Sequence, residues 1–312
     1  MKKLIIVDIS SFIFRAFYAV RPLHAADGKP VNAVYGVLSM LFKLIEKNGP
    51  SHIVLAQDLK EESFRKTKFP AYKANRSSPP DDLKVQFDII NELFSLMKIP
   101  TLSKVGFEAD DIIGTLVQKF SDSFEQIEII SGDKDLMQFV SDKVYLLDTM
   151  KDKIYRREDV KEKMGVYPCE IVDYLSLVGD ASDNIPGVKG VGPKGAAKLI
   201  ETYKTLENCL EHVHEIANGK VKEAILMHRE NALLSKELVQ IVTDIPLNVE
   251  AQDLYFEFKS SVDFNHFLQK LNFNSFIKKI ETYEQIDILS ASPESEEALD
   301  IIDSVEKLNQ LK

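Results

Sequence analysis

Cysteine is scarce: the 312 residues carry two, Cys169 and Cys209, forty positions apart and in no Cys-x-x-Cys or Cys/His spacing. That speaks against a disulfide framework or a zinc site and points to a reducing, cytoplasmic setting. Long apolar runs are lacking too. The chain opens Met1-Lys2-Lys3, but the run that follows is cut at Asp8 and nowhere do 18 apolar residues stand together, which disfavours secretion and membrane spanning. There is no Gly-x-x-x-x-Gly-Lys-[Ser/Thr] spacing, hence no nucleotide P-loop. No internal repeat is visible.

What remains is an ordinary globular composition, 45% apolar and 28% charged, long enough for about two domains at ~150 residues each. The formal net charge of −10 is unevenly spread. Residues 281–312 hold nine acids against Lys307 and Lys312, so the tail accounts for −7 and the other 280 residues for −3. Bulk charge therefore neither proves nor excludes a polyanionic partner.

The first half alternates strand-like and helix-like stretches, the pattern of an α/β domain with a mainly parallel sheet. Leu4-Ile5-Ile6-Val7 ends in Asp8, Ile53-Val54-Leu55-Ala56 runs to Asp58, and Ile127–Ile130 runs into Ser131-Gly132-Asp133-Lys134-Asp135. Helices are predicted over the periodic sets Val37, Leu41, Leu44, Ile45, then Leu83, Phe87, Ile90, Phe94, Met97, then Ile112, Ile113, Leu116, Val117, Phe120. From about residue 157 the strand signal vanishes and the pattern becomes all-helical, with Ile171, Leu175 and Val178 on one face behind Pro168. The expected division is an α/β core over 1–160 and a helical region over 161–284. Residues 285–312 read as an acidic linker.

In an open parallel sheet ligands bind beyond the carboxyl ends of the strands, so acids placed there converge on one crevice. Asp8, Asp58, Asp133 and Asp135 occupy such ends. Glu108, Asp110 and Asp111 open a helix, and Asp180 and Asp183 flank a loop. On helical spacing Glu108 and Asp111 share a face, whereas Asp110 points elsewhere. Taken singly, each acid reads as a loop or helix cap. Taken together, so many like charges require cations between them, and oxygen-only donors favour two hard divalent ions, Mg2+ or Mn2+.

Residues 60–76 set six cations (Lys60, Arg65, Lys66, Lys68, Lys73, Arg76) against Glu61 and Glu62, with Phe64, Phe69 and Tyr72 between them. Cations interleaved with rings suit a single-stranded polyanion; the plain alternative is an exposed basic loop. Arg15, with Phe14, Phe17 and Tyr18, could extend that surface or belong to the core. Further on, Gly187, Gly190 and Gly192 form a tight turn into a helix whose amides, with Lys189, Lys194 and Lys198, could hold one backbone phosphate. The alternative is a glycine-rich connection between helices.

These stretches, in this order, resemble the 5′ nuclease, or flap endonuclease-like, domain of bacterial DNA polymerase I. The resemblance rests on Val7-Asp8-x-Ser10-Ser11, Phe64-Arg65 with Tyr72-Lys73-x-x-Arg76, Glu108-Ala109-Asp110-Asp111-x-Ile113-Gly114, Ser131-Gly132-Asp133-Lys134-Asp135, and Gly179-Asp180 through Lys194. It covers about residues 4–280. It implies a PIN-like α/β nuclease core, a helical arch near residues 60–82, and a helix-hairpin-helix clamp over 179–203 that holds K+ through carbonyls near Val188 and Val191. It also implies that all nine acids, Asp110 included, are metal ligands. By the same resemblance Lys73 and Arg76 engage the scissile phosphate, and Arg65 and Tyr72 contact DNA. The expected enzyme is a monomeric, two-metal 5′-3′ exonuclease and flap endonuclease acting on DNA flaps, nicks and RNA primers.

Two positions depart from the family pattern: Ile9 replaces the usual glycine, and Ala56-Gln57-Asp58-Leu59 replaces an aromatic-Asp-Ala run. Both adjoin expected ligands. No polymerase motif follows residue 284, while Asp300–Lys312 resemble the start of the next domain of that polymerase family. A fragment, a truncated product and a stand-alone nuclease all fit that ending. A junction binder without turnover and a PIN-type ribonuclease remain as competitors, the first opposed by the full set of acids, the second by the clamp.

Overall fold

The computed structural model describes residues 2–49 and 51–280; the expected linker and further-domain start lie outside the described residues. The three apolar runs are strands β1 (Lys3–Asp8), β2 (Ser51–Ala56) and, after the short β3 (Thr101–Leu102), β4 (Gln126–Ile130). β5 (Val144–Asp148), β6 (Lys153–Tyr155) and β7 (Tyr255–Phe256) follow. Across the sheet the order is β3-β2-β1-β4-β5-β6, with β7 also paired to β2. β1 to β5 run parallel, and β6 and β7 are antiparallel additions at the two sides. β7 is a departure from the helical pattern expected there, two residues being too few to show an alternation in sequence.

The helices are α1 (Ile9–Ala19), α2 (Asn32–Asn48), α3 (Phe64–Lys68), α4 (Asp81–Met97) and α5 (Ala109–Phe120), then α6 (Arg157–Met164), α7 (Ile171–Val178), α8 (Pro193–Tyr203), α9 (Leu206–Glu211), α10 (Gly219–Met227), α11 (Arg229–Val239) and α12 (Val262–Lys270). The strands are apolar on both faces because both are covered. Leu4, Ile6, Val54 and Ile129 face the core that includes α5 residues and the helical region, while Ile5, Val7, Ile53 and Leu55 face the core shared with α1, α2, α4 and α12. Strand direction of growth reverses at β1, which has β2 on one side and β4 on the other. That reversal opens a crevice beyond the ends of β1 and β4, where Asp8 and Ser131–Asp133 stand.

The segment expected as a helical arch is the short α3 followed by turns to Asn75. The glycine loop joins α7 to α8 as a hairpin. Its ends touch backbone to backbone: a Cβ on Gly179 would lie 2.5 Å from the Ile185 carbonyl oxygen, and one on Gly187 would lie 2.4 Å from the Gly179 nitrogen. Both glycines also have positive φ, 75° and 58°, so no larger residue fits either place. Among the described residues no helix is long and apolar enough to cross a membrane.

Candidate active site

A cleft of about 760 Å3 lies beyond the strand ends, lined by Asp8, Asp58, Asp110 and Asp133 together with Arg15, Lys73 and Arg76. Each acid arrives on a different element. Asp8 ends β1 and caps α1, its Oδ1 accepting the Ser11 amide at 3.0 Å and its Oδ2 accepting the Ser131 hydroxyl at 2.7 Å. Asp58 follows β2 and accepts the Ala109 amide at 2.7 Å, one of the free N–H groups at the start of α5. Asp133 follows β4, donates its amide to Ser131 Oγ at 3.0 Å and accepts the Asp135 amide at 2.9 Å. Asp110 sits in the first turn of α5.

The cations of the cleft do not fully offset these carboxylates. Burial, and then the charges of Asp133 and Asp8, hold the Asp110 carboxyl well above the usual range, although Lys73 pulls it down somewhat. Burial also pushes Asp8 up to about 6 despite its Ser131 and Ser11 hydrogen bonds, with Asp58 and Asp133 adding repulsion. Asp135 rises to about 7 through burial and Asp133. Its Oδ1 is buried without a hydrogen bond, Lys134 Nζ standing 3.5 Å away. Among the described residues no three acids close around one point as a finished ligand cage. Even so, the donor set is oxygen only, with Asp8, Asp110 and Asp135 disfavoured as anions and one buried oxygen of Asp135 without a hydrogen bond, which fits hard divalent cations.

The other expected acids are partnered. Glu108 accepts the Tyr72 hydroxyl at 3.0 Å and the Ser63 hydroxyl at 3.1 Å, and pairs with Lys73 at 3.1 Å. Asp183 is paired with Arg76 and lies 3.7 Å from Lys73. Asp180 is paired with Lys134 and accepts the Ser182 amide and hydroxyl. Burial raises its carboxyl, but Lys134 and Ser182 outweigh that and hold it below the usual range. The loop between α7 and α8 is thereby fastened to the cleft wall, and the Lys73 amide donating to the Asp183 carbonyl at 2.9 Å adds to it.

Three expectations are corrected. Asp111 is fully buried and faces away from the cleft, bidentate with Arg65 at 2.7 Å twice and accepting the Val242 amide at 2.9 Å. The reason is local: Glu108 and Asp111 form the capping box of α5, which turns Asp111 back onto the helix start and leaves Asp110 toward the cleft. Arg65 is 2% exposed and also donates to the carbonyls of Leu238 and Gln240 at 2.8 and 2.9 Å, so it braces the interior and is not a surface phosphate contact. Burial disfavours its charge, yet Asp111 and Glu108 more than compensate and keep it protonated. Tyr72 is 4% exposed with its hydroxyl given to Glu108, so its ring is no platform for a base.

Lys73 and Arg76 do line the cleft with the four acids. In the hairpin, Lys189, Lys194 and Lys198 are exposed, and among the described residues they carry no ion pair. Gly190 has φ 100°, Gly192 is the N-cap of α8, and the Gly187 amide donates to the buried Ser235 hydroxyl at 2.9 Å. The side chains of Val188 and Val191 are buried, and the Val188 carbonyl accepts the Val191 amide at 3.0 Å. Ser131, which holds Asp8, and Lys134, which neutralises Asp180, do not stand out in the sequence as site residues. Both sit inside Ser131-Gly132-Asp133-Lys134-Asp135, and their place between the acids is the signal that could have found them. Arg15, left between surface and core, lines the cleft and bonds Thr149. Of the two departures, Ile9 is fully buried in the core beneath α1, and Gln57 donates to Asn91 Oδ1 at 2.9 Å.

Comparison with known proteins adds an independent line. The family model of the 5′-3′ exonuclease N-terminal resolvase-like domain matches residues 3–165, and that of the 5′-3′ exonuclease C-terminal SAM fold matches 166–261. A 5′-3′ exonuclease of Aquifex aeolicus is 39% identical over 281 residues, covering 90% of this chain and 96% of that protein. DNA polymerase I of Rhizobium leguminosarum is 40% identical over 94% of this chain, which spans 30% of that polymerase. The fold is shared with a bacteriophage T5 flap endonuclease solved with DNA and metal ions, at a TM-score of 0.67, 21% identity and coverage of 87% and 100% of the two chains.

Proposed function

Since the chain belongs to the 5′-3′ exonuclease family, we propose that it hydrolyses DNA phosphodiesters at 5′ flaps, nicks and RNA primers with two divalent ions, Mg2+ or Mn2+. The observation that carries this reading is the meeting of Asp8, Asp58, Asp110 and Asp133 with Lys73 and Arg76 in one cleft. Those four acids would hold the ions, with Asp135 beside them. When bound, such ions lower the pKa of an attacking water and neutralise the leaving oxygen.

The chain's own groups account for the rest. Ser131 and the Ser11 amide fix the Asp8 carboxylate, and the Ala109 amide fixes Asp58, so both carboxylates are oriented before substrate arrives. Lys73 and Arg76, held in place by Glu108 and Asp183, would take the scissile phosphate and stabilise charge gathering on it. Lys189, Lys194 and Lys198 with the α8 amides would grip the duplex backbone some way from the cut, K+ being held by the carbonyls around Val188 and Val191. Backbone contacts of this kind position DNA without reading its sequence, so preference should follow substrate shape.

The test is cleavage of a 5′-labelled flap with Mg2+ and with EDTA, wild type beside Asp133→Ala. Metal-dependent release by the wild type and none by the variant, with flap binding in Ca2+ within a few-fold of wild type, is the expected result. Tight binding without cutting by the wild type would replace this reading with that of a junction-binding protein.

A further inference from the structure

Next to the cleft, across Asp58, lies a second cavity of about 590 Å3 between α1, the end of β2 and α4. It shares Ser10, Phe14 and Asp58 with the first, so the two adjoin. Its size falls within the ~300–1,000 Å3 of small-molecule sites. Phe14, Leu59, Pro79 and Phe87 supply flat apolar surface, and Phe14 and Leu59 are exposed, at 40% and 36%. Of its polar residues, Ser10, Gln57, Asp58, Lys60, Glu61 and Asn91, the two amides Gln57 and Asn91 are joined by one hydrogen bond of 2.9 Å.

That bond uses one amide hydrogen and one carbonyl oxygen. Gln57 Oε1 and Asn91 Nδ2 have no other partner among the described residues. If both amides are turned over, the roles exchange and one acceptor and one donor are still left. An adjacent donor and acceptor beside an apolar slot is the chemistry that meets the edge and the faces of a nucleobase. A base can lie against these apolar faces only when it is out of the helical stack, so the occupant is unpaired. The cavity shares Asp58, a proposed ion ligand, with the cleft, so the base belongs to the nucleotide beside the reacting phosphate.

We propose that Gln57 and Asn91 form a specificity site that receives the first unpaired base of the 5′ strand next to the scissile phosphate. This rests on the nuclease reading above. Gln57 is one of the two departures from the family pattern, and the site gives that departure a use: where an aromatic residue could only stack, an amide can also read an edge.

The experiment compares single-turnover cleavage, with Mg2+, of flaps that carry a base or an abasic residue at the first unpaired position, using wild type, Asn91→Ala and Gln57→Leu. Wild type should cut the base-bearing flap about tenfold faster than the abasic one, and both variants should lower that ratio, the stacking share remaining. The ratio, taken within each protein, is not moved by a general loss of activity or by a shift of Asp58. A wild-type ratio near one, or an unchanged ratio in both variants, overturns the proposal and leaves the nuclease reading intact. Absence of metal-dependent cutting by the wild type on every flap overturns both.

Discussion

Two sets of carboxylates, drawn from the same short motifs, live under opposite conditions. Asp8 and Asp110 face the open cleft without adequate internal cations, and burial holds both above the usual range. Glu108, Asp111, Asp180 and Asp183 stand close by, each matched to Lys73, Arg65, Lys134 or Arg76. The protein neutralises one set itself, and in doing so ties α3, the turns after it, α5 and the α7–α8 loop into one wall. The other set has no such partner, which suits the cations proposed above. A cluster of acids in sequence therefore mixes carboxylates that the protein pairs with carboxylates that it leaves open.

The sharpest way to break that contrast is at Asp111. Asp111→Asn leaves the Arg65 charge buried without its bidentate partner, and a loss of about 3–5 kcal/mol is expected, read from urea unfolding. A loss below about 1 kcal/mol, the range of an exposed pair, would return Asp111 to the ligand set. Next comes Lys73→Ala, expected to lower single-turnover flap cleavage by about a hundredfold or more while flap affinity changes little. Wild-type turnover would remove Lys73 from the reacting phosphate.

Away from the cleft, replacing Lys189 and Lys194 by alanine should weaken duplex binding about tenfold and flatten the slope of log K against log salt by roughly 0.9 for each phosphate no longer neutralised. An unchanged slope would free the hairpin of that role. The last test concerns stability across pH. Between about pH 4 and 7 the folded chain holds protons on Asp8, at about 6, and Asp135, at about 7, that the unfolded chain, titrating near the ordinary 3.8, has released. In EDTA, unfolding free energy should thus fall as pH rises through that window, and Mg2+ should restore it at pH 7 but not at pH 5. A flat profile in EDTA would mean that the open acids are not strained.

The strand ends were legible because a strand buried on both faces needs a continuous apolar run, and the first charge after it marks the rim. The reversal of strand order at β1 was not legible as such, yet the rule that ligands gather at strand ends placed Asp8, Asp58 and Asp133 together without it. Helical spacing set Asp110 apart from Glu108 and Asp111, as the structure has them, but did not tell which of the two faces meets the cleft. The signal that decides it, an acid three residues after another at a helix start, was present in Glu108-Ala109-Asp110-Asp111 and is a capping box.

Residue type and local order thus settled the α/β plan, the helix starts, the glycine hairpin and the company the acids keep, since these depend on periodicity, capping and backbone freedom within a few residues. Which acid faces a cation and which faces the cleft depends on partners far away in the chain. Asp111 meets Arg65 across 46 positions and Val242 across 131, and Asp180 meets Lys134 across 46. Coulomb energy and desolvation act through space, so that sorting, and with it the burial of Arg65 and Tyr72, came into view only once the chain had closed on itself.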